Sequence, residues 1–286
     1  MKQYRTLIHD IFAEIRKSRS RFLSILCIVF LGVGFFSGVK STCPDMKETA
    51  QQYFEDQNLM DFQLKSTMGF TEGDIDTLRD QPGVEAVAPA YSLDAFVQVD
   101  ESTSLLVRAL SYELGSEDDP DALNQPVLKE GRWPEKEDEC LVEHGIYAGE
   151  RFQVGSQITL FLEEGDLSDA LSVKTFTVVG VVESPLYINF ERGSSTLGNG
   201  SVRSFLYLPA DAFAYEAYTD VYLTYQKARG MDFYDDAYQE WADQQADRLA
   251  RLATQREKTR HDEIYEQAKA QIDQAQQELD EGQAAY

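Results

Sequence analysis

The sequence predicts an α+β protein with one membrane-spanning helix, an external domain of mixed helix and sheet, and a long helix after it. Three observations carry this prediction. An apolar run of eighteen residues without a charge occupies positions 22–39. Short β-rich segments separated by glycine, proline and acidic turns fill the middle of the 286-residue chain, and positions 231–286 consist mainly of residues that favour helices.

The apolar run predicts a transmembrane helix at residues 22–40. Eighteen residues at about 1.5 Å each cover about 27 Å, which is nearly the thickness of the hydrocarbon core of a bilayer. Six basic residues precede the run, against two acidic ones, Asp10 and Glu14. Since basic flanks stay in the cytoplasm, we expect a cell-membrane protein with a cytoplasmic amino terminus and with residues 41–286 extracytoplasmic.

A cleaved signal peptide is the competing interpretation of the same run. Apolar regions of signal peptides hold about 7–15 residues and end at a cleavage site of small residues. This run is longer, and the residues from Gly38 to Thr42 lack that pattern. A lipoprotein site is also a poor fit, because Cys43 lies well past the apolar run. The sequence therefore favours a retained helix in the lipid bilayer.

Residues 1–21 predict a cytoplasmic amphipathic helix. Apolar residues recur on one face at spacings of three and four, and we assign this face to a cytoplasmic partner: Leu7, Ile8, Ile11, Phe12 and Ile15. The other face carries Arg5, His9, Glu14, Arg16 and Lys17. A helix of this kind can also lie at the lipid surface, and a solvated basic flank is the simplest alternative.

The charge of the external part excludes two kinds of ligand. The whole chain holds 26 basic and 50 acidic residues. Seven of the basic residues lie at or before Lys40 and two of the acidic ones precede Phe22, so the external part has 19 basic and 48 acidic residues and a formal charge of −29. Nucleic acids and anionic lipid head groups need a positive surface, so we expect neither to bind there.

The three cysteines do not form a disulfide framework. Cys27 lies in the apolar run, and Cys43 and Cys140 are the pair outside it, about a hundred residues apart. A disulfide between Cys43 and Cys140 and two free thiols are both compatible with the sequence.

The first part of the external domain predicts a small sheet covered by one helix. A strand at residues 61–66 is followed by a helix at residues 72–79, which Thr71 caps and which acidic residues begin. Further strands are predicted at residues 84–91, 93–99 and 105–110. This order favours an α+β layer.

From about residue 120 to residue 209 the pattern becomes β-rich, which predicts a subdomain inserted into the first. Its predicted strands are at residues 139–142, 157–161, 174–182 and 204–208, and a strand at 221–225 returns to complete the first sheet. Together these segments make a core domain of residues 41–230.

Residues 231–286 predict one long helix with coiled-coil spacing in two registers. The first register consists of Ala242, Gln245, Leu249 and Leu252; the second consists of Tyr265, Ala268, Ile272, Ala275, Leu279 and Gly282. The change of register predicts a break in the coiled coil. Since the pattern continues up to Tyr286 and no antiparallel partner follows it, we expect the chain to be a piece of a longer protein.

The sequence contains no motif that predicts a catalytic, cofactor-binding or metal-binding site, and we expect the chain not to be an enzyme. The glycine-rich stretch 193–200 lacks the lysine of a nucleotide-binding loop. Cys140 and His144 supply at most half of a zinc site. No nucleophile elbow of the Gly-x-Ser-x-Gly type occurs.

A series of motifs resembles the amino-terminal part of the MacB/FtsX-type ABC transporter permeases, in their Gram-positive form with a long external insert. The motifs, in chain order, are RFLSI (21–25), LGVGFFSG (31–38), TCPDM (42–46), NLMD (58–61), PGVEAV (82–87), LKEGRWP (128–134), VVGVVESP (178–185) and ELDEG (278–282). Each motif is weak alone, and their order over residues 20–286 makes the resemblance specific.

The resemblance implies a periplasmic-core domain in which a porter subdomain is split by a β-rich subdomain. It implies a separate cytoplasmic ATP-binding subunit, which would contact the face of Leu7, Ile8, Ile11, Phe12 and Ile15. It also implies a second permease copy or further membrane helices outside this sequence, and export or release of amphiphilic or peptide cargo. A membrane-tethered scaffold that binds or regulates a cell-wall enzyme or another surface protein is the alternative function.

Overall fold

A computed structural model describes residues 13–100, 103–145 and 152–284. The chain forms two compact units, residues 1–53 and 54–286. Four residues of the predicted partner face, Leu7, Ile8, Ile11 and Phe12, lie outside the described residues. The fifth, Ile15, lies in a short helical segment at residues 13–17.

The first unit contains most of helix α1, Arg19–Asp56. It is the one helix of the described residues that is long and apolar enough to cross a membrane, by length and composition. None of its residues is buried, and Phe30 and Phe35 are about three-quarters exposed (75% and 76%). Apolar side chains in such number are costly to leave in water, which fits a helix surrounded by lipid.

Helix α1 is longer than the predicted transmembrane segment, because it continues past Lys40 to Asp56. Pro44 lies inside it, where it removes one backbone hydrogen bond but does not end the helix. The residues that follow, 45–56, contain no glycine and include Ala50, Gln51 and Gln52, which favour helices. The predicted boundary at residue 40 therefore marks the end of the apolar run and not the end of the helix.

Helix α1 ends in a Schellman turn in which an asparagine takes the place usually held by glycine. The N–H of Leu59 donates to the carbonyl of Phe54 at 2.9 Å, and the N–H of Asn58 donates to that of Glu55 at 3.2 Å. Asn58 has a φ of 45°, in the left-handed region that asparagine tolerates better than most residues. This turn directs the chain into the first strand.

The second unit contains a small antiparallel sheet with the strand order β1-β10-β2. Strand β1 is Phe62–Phe70, β2 is Val84–Ala90 and β10 is Tyr218–Tyr225. Helix α2, Glu72–Arg79, lies between β1 and β2 in the chain and has the bounds that the sequence predicts. Its buried residues Ile75 and Leu78 pack with Val221 and Leu223 of the central strand.

The second sheet is a closed barrel. Its strands are β3 (Ser92–Asp100), β4 (Thr103–Tyr112), β5 (Val127–Gly131), β6 (Glu139–Glu143), β7 (Gln157–Phe161), β8 (Thr175–Glu183) and β9 (Ser204–Pro209). The order is β5-β8-β6-β9-β4-β3-β7, and β7 also pairs with β8, which closes six of these strands into a ring. Alternate residues of the six strands form one buried cluster, the barrel core, which includes Val97, Val107, Cys140, Ile158, Phe176 and Leu206.

The barrel begins at Ser92 and not at about residue 120, where the sequence placed the start of the inserted subdomain. Strands β3 and β4, which were predicted to extend the first sheet, pair with β7 and β9 of the barrel. The strand pattern identifies a half-buried strand but not its neighbours, and the pairing across about a hundred residues decided the sheet. Strand β5 was not predicted, because its sequence VLKEG is short and ends in a turn motif.

Helix α3, Asp236–Ala284, contains the two registers that the sequence separates. Trp241 and Leu249 are buried against the small sheet, where the Trp241 ring lies 5.5 Å from that of Tyr225. Farther along, Tyr265 and Ile272 are 58% and 68% exposed. The first register therefore belongs to the core of the domain, and the coiled coil of the second remains a prediction.

Candidate functional site at the junction of the two sheets

The chain enters the barrel and returns from it through two neighbouring linkers. The first is Tyr91, the single residue between β2 and β3, and the second is the segment 213–217 before β10. A domain attached through two short linkers can turn about them as about a hinge. Contacts at the linkers therefore decide how firmly the barrel is held to the small sheet.

A buried carboxylate joins the two sheets at the linkers. The side chain of Asp220 on β10 is only 1% exposed. One of its oxygens accepts from Gln63 Nε2 at 2.7 Å and lies 3.2 Å from Lys65 Nζ, both on β1. The other accepts from Ser92 Oγ at 2.5 Å and from Thr219 Oγ1 at 2.7 Å. Since Ser92 is the first residue of the barrel, the carboxylate binds both sheets at once.

An aromatic cluster packs the two linkers against each other. The ring of Tyr91 is stacked on that of Phe213 at 5.3 Å between centroids, and it lies 5.1 Å from the ring of Tyr218. Tyr215 completes the cluster at 6.1 Å from Tyr91. Aromatic pairs at these separations attract one another beyond the burial of their area, so the linkers form one packed unit.

A second attachment connects the end of helix α1 to a loop of the barrel subdomain; we call it the Asn58–Asn124 contact. The N–H of Asn124 donates to the Asn58 carbonyl at 2.9 Å, and its Oδ1 accepts from the Met60 N–H at 2.9 Å. In return, Asn58 Nδ2 donates to the Pro120 carbonyl at 2.6 Å. Asn124 is buried and also has a positive φ, of 55°.

The Asn58–Asn124 contact places the barrel loop directly beside the turn that ends α1. The residue that terminates the helix is the same residue that holds the loop. A rotation of the last turn of α1, residues 54–56 of the second unit, would therefore displace the loop unless these hydrogen bonds break. Within the second unit, this arrangement therefore couples the last turn of α1 to the barrel loop.

Asp61, the residue that directly follows Met60 and precedes β1, is a partly buried carboxylate. It accepts from the Tyr225 N–H at 2.7 Å and from Tyr238 Oη at 3.3 Å. Burial raises the pKa of Asp61 to about 6. The two hydrogen bonds lower this pKa by less than burial raises it, and the charge of Glu85 adds to the increase. Asp61 is thus a group beside the end of α1 whose charge changes in mildly acidic solution.

The residues that supply part of a metal site in the sequence, Cys140 and His144, lie apart from this junction. Cys140 is fully buried in the barrel core and His144 is exposed at its rim, beside Glu183. The described residues contain no group of three His, Cys, Asp or Glu side chains placed to hold a metal ion. Cys43 and Cys140 are both free cysteines in the structure.

The junction residues themselves were not found from the sequence. Asn58 opens the NLMD motif, which the sequence marks only as the beginning of a strand. Asp220 lies in a segment with the usual alternation of a β-strand, and Asn124 lies in a loop rich in polar residues. No local pattern distinguishes a buried aspartate that joins two sheets from a solvated one.

The chain is similar to a family of known proteins and to solved structures. The model of the MacB-like periplasmic core domain family matches residues 22–281. The extracellular domain of the noncanonical ABC-type transporter YknZ from Gram-positive bacteria is 16% identical, covering 58% of this chain and 81% of its own, with a TM-score of 0.33. The periplasmic region of MacB from Actinobacillus actinomycetemcomitans is 14% identical, covering 63% and 72%, with a TM-score of 0.32. No curated protein matches the chain.

Proposed function

Because the chain belongs to the MacB-like periplasmic core domain family, we propose that it is a permease subunit of an ABC transporter, or the amino-terminal part of one. A separate cytoplasmic ATP-binding subunit drives it. Movement of the external domain exports or releases amphiphilic or peptide cargo. The chain itself catalyses no reaction.

The extent of the family match carries this proposal. It covers α1, the small sheet, the barrel and most of α3 as one continuous region, residues 22–281. The family match thus includes both the apolar helix and the external domain. The Schellman turn and the Asn58–Asn124 contact support the same function, because they give a direct physical connection from the end of α1 to the barrel.

The membrane orientation and the cytoplasmic partner are part of the proposal. The amino terminus lies in the cytoplasm and residues 41–286 lie outside, as the excess of basic residues before Phe22 favours. The ATP-binding subunit contacts the apolar face formed by Leu7, Ile8, Ile11, Phe12 and Ile15. A helix placed just before the membrane is the part of the chain that a cytoplasmic subunit can reach.

Helix α3 supplies the second contact that a complete permease needs. Its exposed second register, with Tyr265 and Ile272, pairs as a coiled coil with another helix, from a second permease copy or from a part of the protein beyond this sequence. Apolar residues at coiled-coil spacing on an exposed helix favour such pairing. The small side chains Ala268 and Ala275 in the same register keep the pairing weak for this segment alone.

Co-purification of the full chain from membranes tests the function. We expect a tagged chain to retain a protein that carries an ABC-type ATP-binding sequence. The substitution Ile8→Asp on the apolar face should reduce the retained ATP-binding subunit about tenfold or more, which corresponds to about 1.4 kcal/mol. His9→Asp, on the other face of the predicted helix, is the matched control and should retain it.

Two outcomes would contradict the proposal. Retention of a cell-wall hydrolase without any ATP-binding protein would favour the alternative, a membrane-tethered scaffold. Equal loss of the ATP-binding subunit in Ile8→Asp and His9→Asp would show that the apolar face is not the contact surface. Retention of the ATP-binding subunit by the wild-type chain would then still decide whether the chain is a permease.

A further inference from the structure

A cavity of about 420 Å³ lies between β1, α2 and α3. Its volume is within the range of about 300–1,000 Å³ that is typical of small-molecule sites. The wall is mainly apolar and continues the core beneath the small sheet. The apolar lining residues are Leu64, Met68, Phe70, Leu78, Leu249 and Leu252.

Two arginines one turn apart on α3, Arg256 and Arg260, line the same cavity. Arg256 is already occupied, because its Nε donates to Asp74 Oδ1 at 2.7 Å. Burial raises the pKa of Asp74, but hydrogen bonds from Thr71 and Arg256 outweigh it and hold that pKa below the ordinary value. Arg256 therefore serves to fix α3 to the beginning of α2.

Arg260 is not occupied in this way. Its Nη1 lies 3.5 Å from Glu263 Oε2, at the limit of a hydrogen bond. Its Nε is buried and has no hydrogen-bond partner among the residues that the structure describes. A buried N–H without an acceptor is unfavourable. The cavity thus joins an apolar wall to an arginine whose Nε–H lacks an acceptor among the described residues.

We propose that this cavity binds a single-chain amphiphile with a carboxylate head, the head on Arg260 and the apolar chain among the leucines of the wall. Guanidinium groups bind carboxylates strongly through directed N–H donors. One arginine with an unused Nε–H suits a head with a single negative charge. At about 30 Å³ per water-sized volume, the cavity holds a chain on the order of ten heavy atoms.

The charge of the protein disfavours anion binding at positions that lack a basic residue. The chain carries a net charge of −24, so an anion is repelled from most of its surface. An amphiphile with an acidic head is then held where an arginine and an apolar wall meet. If the amphiphile is the transported cargo, this inference deepens the proposed function and rests on it. The binding site itself depends only on residues of the second unit.

Photolabelling tests the site in the full chain, held in nanodiscs of zwitterionic lipid without any ATP-binding subunit. The probe is a photoreactive dodecanoate. We expect labelled peptides to map to residues 249–253, and Arg260→Gln to reduce this labelling about tenfold. Arg251→Gln, an exposed arginine of the same helix, is the matched control and should leave the labelling unchanged. Excess unlabelled dodecanoate should compete.

Three results would overturn the inference. The first is an absence of label at residues 249–253. The second is equal labelling by the uncharged dodecanol analogue, which would show that the cavity binds the apolar chain without using the carboxylate. The third is displacement by inorganic phosphate as effective as by dodecanoate, which would make it a simple anion site. Because no ATPase is present, none of these results bears on whether the chain is a permease; co-purification decides that separately.

Discussion

Asp61 is a residue through which solution pH acts on the stability of the fold. Its pKa is raised to about 6, chiefly by burial, from an ordinary value near 4. The folded state therefore binds a proton more tightly than the unfolded state. Its contribution to stability is fully present below about pH 4 and is lost as the pH rises through 6.

We expect Asp61→Asn to remove this dependence. The difference in the free energy of unfolding between the wild type and Asp61→Asn should change between pH 4 and 6, with the wild type losing stability relative to the variant as pH rises. Chemical denaturation at a series of pH values measures it. Asp76→Asn removes one exposed carboxylate and should leave the pH slope in place. A constant difference for Asp61→Asn would contradict the assignment.

Gly131, in the LKEGRWP motif, is required by the close approach of two strands. Its φ is 82°, and a Cβ there would lie 2.2 Å from the Val179 carbonyl oxygen. The next residue, Arg132, donates to both carboxylate oxygens of Glu139 at 2.8 and 2.6 Å. The motif that contributed to the family resemblance is therefore structural: it fixes β5 on β8 at the edge of the barrel.

Gly131→Ala should destabilise the protein by well over the roughly 1–2 kcal/mol that a left-handed backbone costs an alanine, because the backbone of β8 must also move. Gly115→Ala is the matched control: its φ is 84°, but nothing lies within 4 Å of its added Cβ. Thermal or chemical unfolding of both variants gives the comparison. Equal losses would show that the Val179 contact does not matter.

At the scale of elements, the end of α1 depends on a residue with two tasks. Asn58 adopts the left-handed conformation of the Schellman turn, and its side chain donates to the Pro120 carbonyl. Glycine can do only the first of these, and alanine neither. The substitutions therefore separate the turn from the attachment of the barrel loop.

Asn58→Gly should lower the free energy of unfolding by about 0.5–1.5 kcal/mol, the net value of a hydrogen bond. Asn58→Ala should lower it by about 1 kcal/mol more, because alanine is strained in the left-handed region. Denaturant titration of the two variants beside the wild type measures both steps. The interpretation fails if alanine is tolerated as well as glycine.

Helix α3 has two halves with different roles. Leu249 is buried against the small sheet, whereas Ile272 is 68% exposed. We expect Leu249→Ala to cost about 2–4 kcal/mol of stability, and Ile272→Ala to cost less than about 0.5 kcal/mol. If Ile272→Ala were as destabilising as Leu249→Ala in a dilute sample, the second register would be packed within the chain itself.

At the scale of the whole molecule, Cys140 reports the opening of the barrel. It is fully buried in the barrel core, and burial raises the pKa of its thiol far above the ordinary value. A thiol in this state reacts only when the surrounding strands separate. A disulfide with Cys43 would require Cys140 to leave this core.

The variant Cys27→Ser/Cys43→Ser leaves Cys140 as the single thiol. We expect a thiol reagent to label it at the rate of global unfolding, with labelling rising in step with denaturant. The comparison variant Cys27→Ser/Cys140→Ser keeps Cys43, which is exposed and should react at once. Labelling of Cys140 within seconds in native buffer would mean that the barrel opens locally and is not a cooperative unit.

The sequence alone determined the features that depend on neighbouring residues. The uncharged run 22–39 specifies an apolar helix because length and composition suffice, and Thr71 with the acidic first turn specifies where α2 begins. Most strands of the two sheets follow from alternation. The predicted fold class, a mixture of helix and sheet after one apolar helix, is confirmed, as is the family resemblance.

Only the tertiary structure decided which segments become neighbours. It moved β3 and β4 from the small sheet to the barrel, turned the first register of α3 into core, and brought Asp220 to Ser92 and Asn58 to Asn124. The physical reason is that burial and hydrogen bonding reward pairing between distant residues, while a local pattern records only that a face is apolar or a turn is possible. A polar residue that joins two sheets has the same local sequence as one in water.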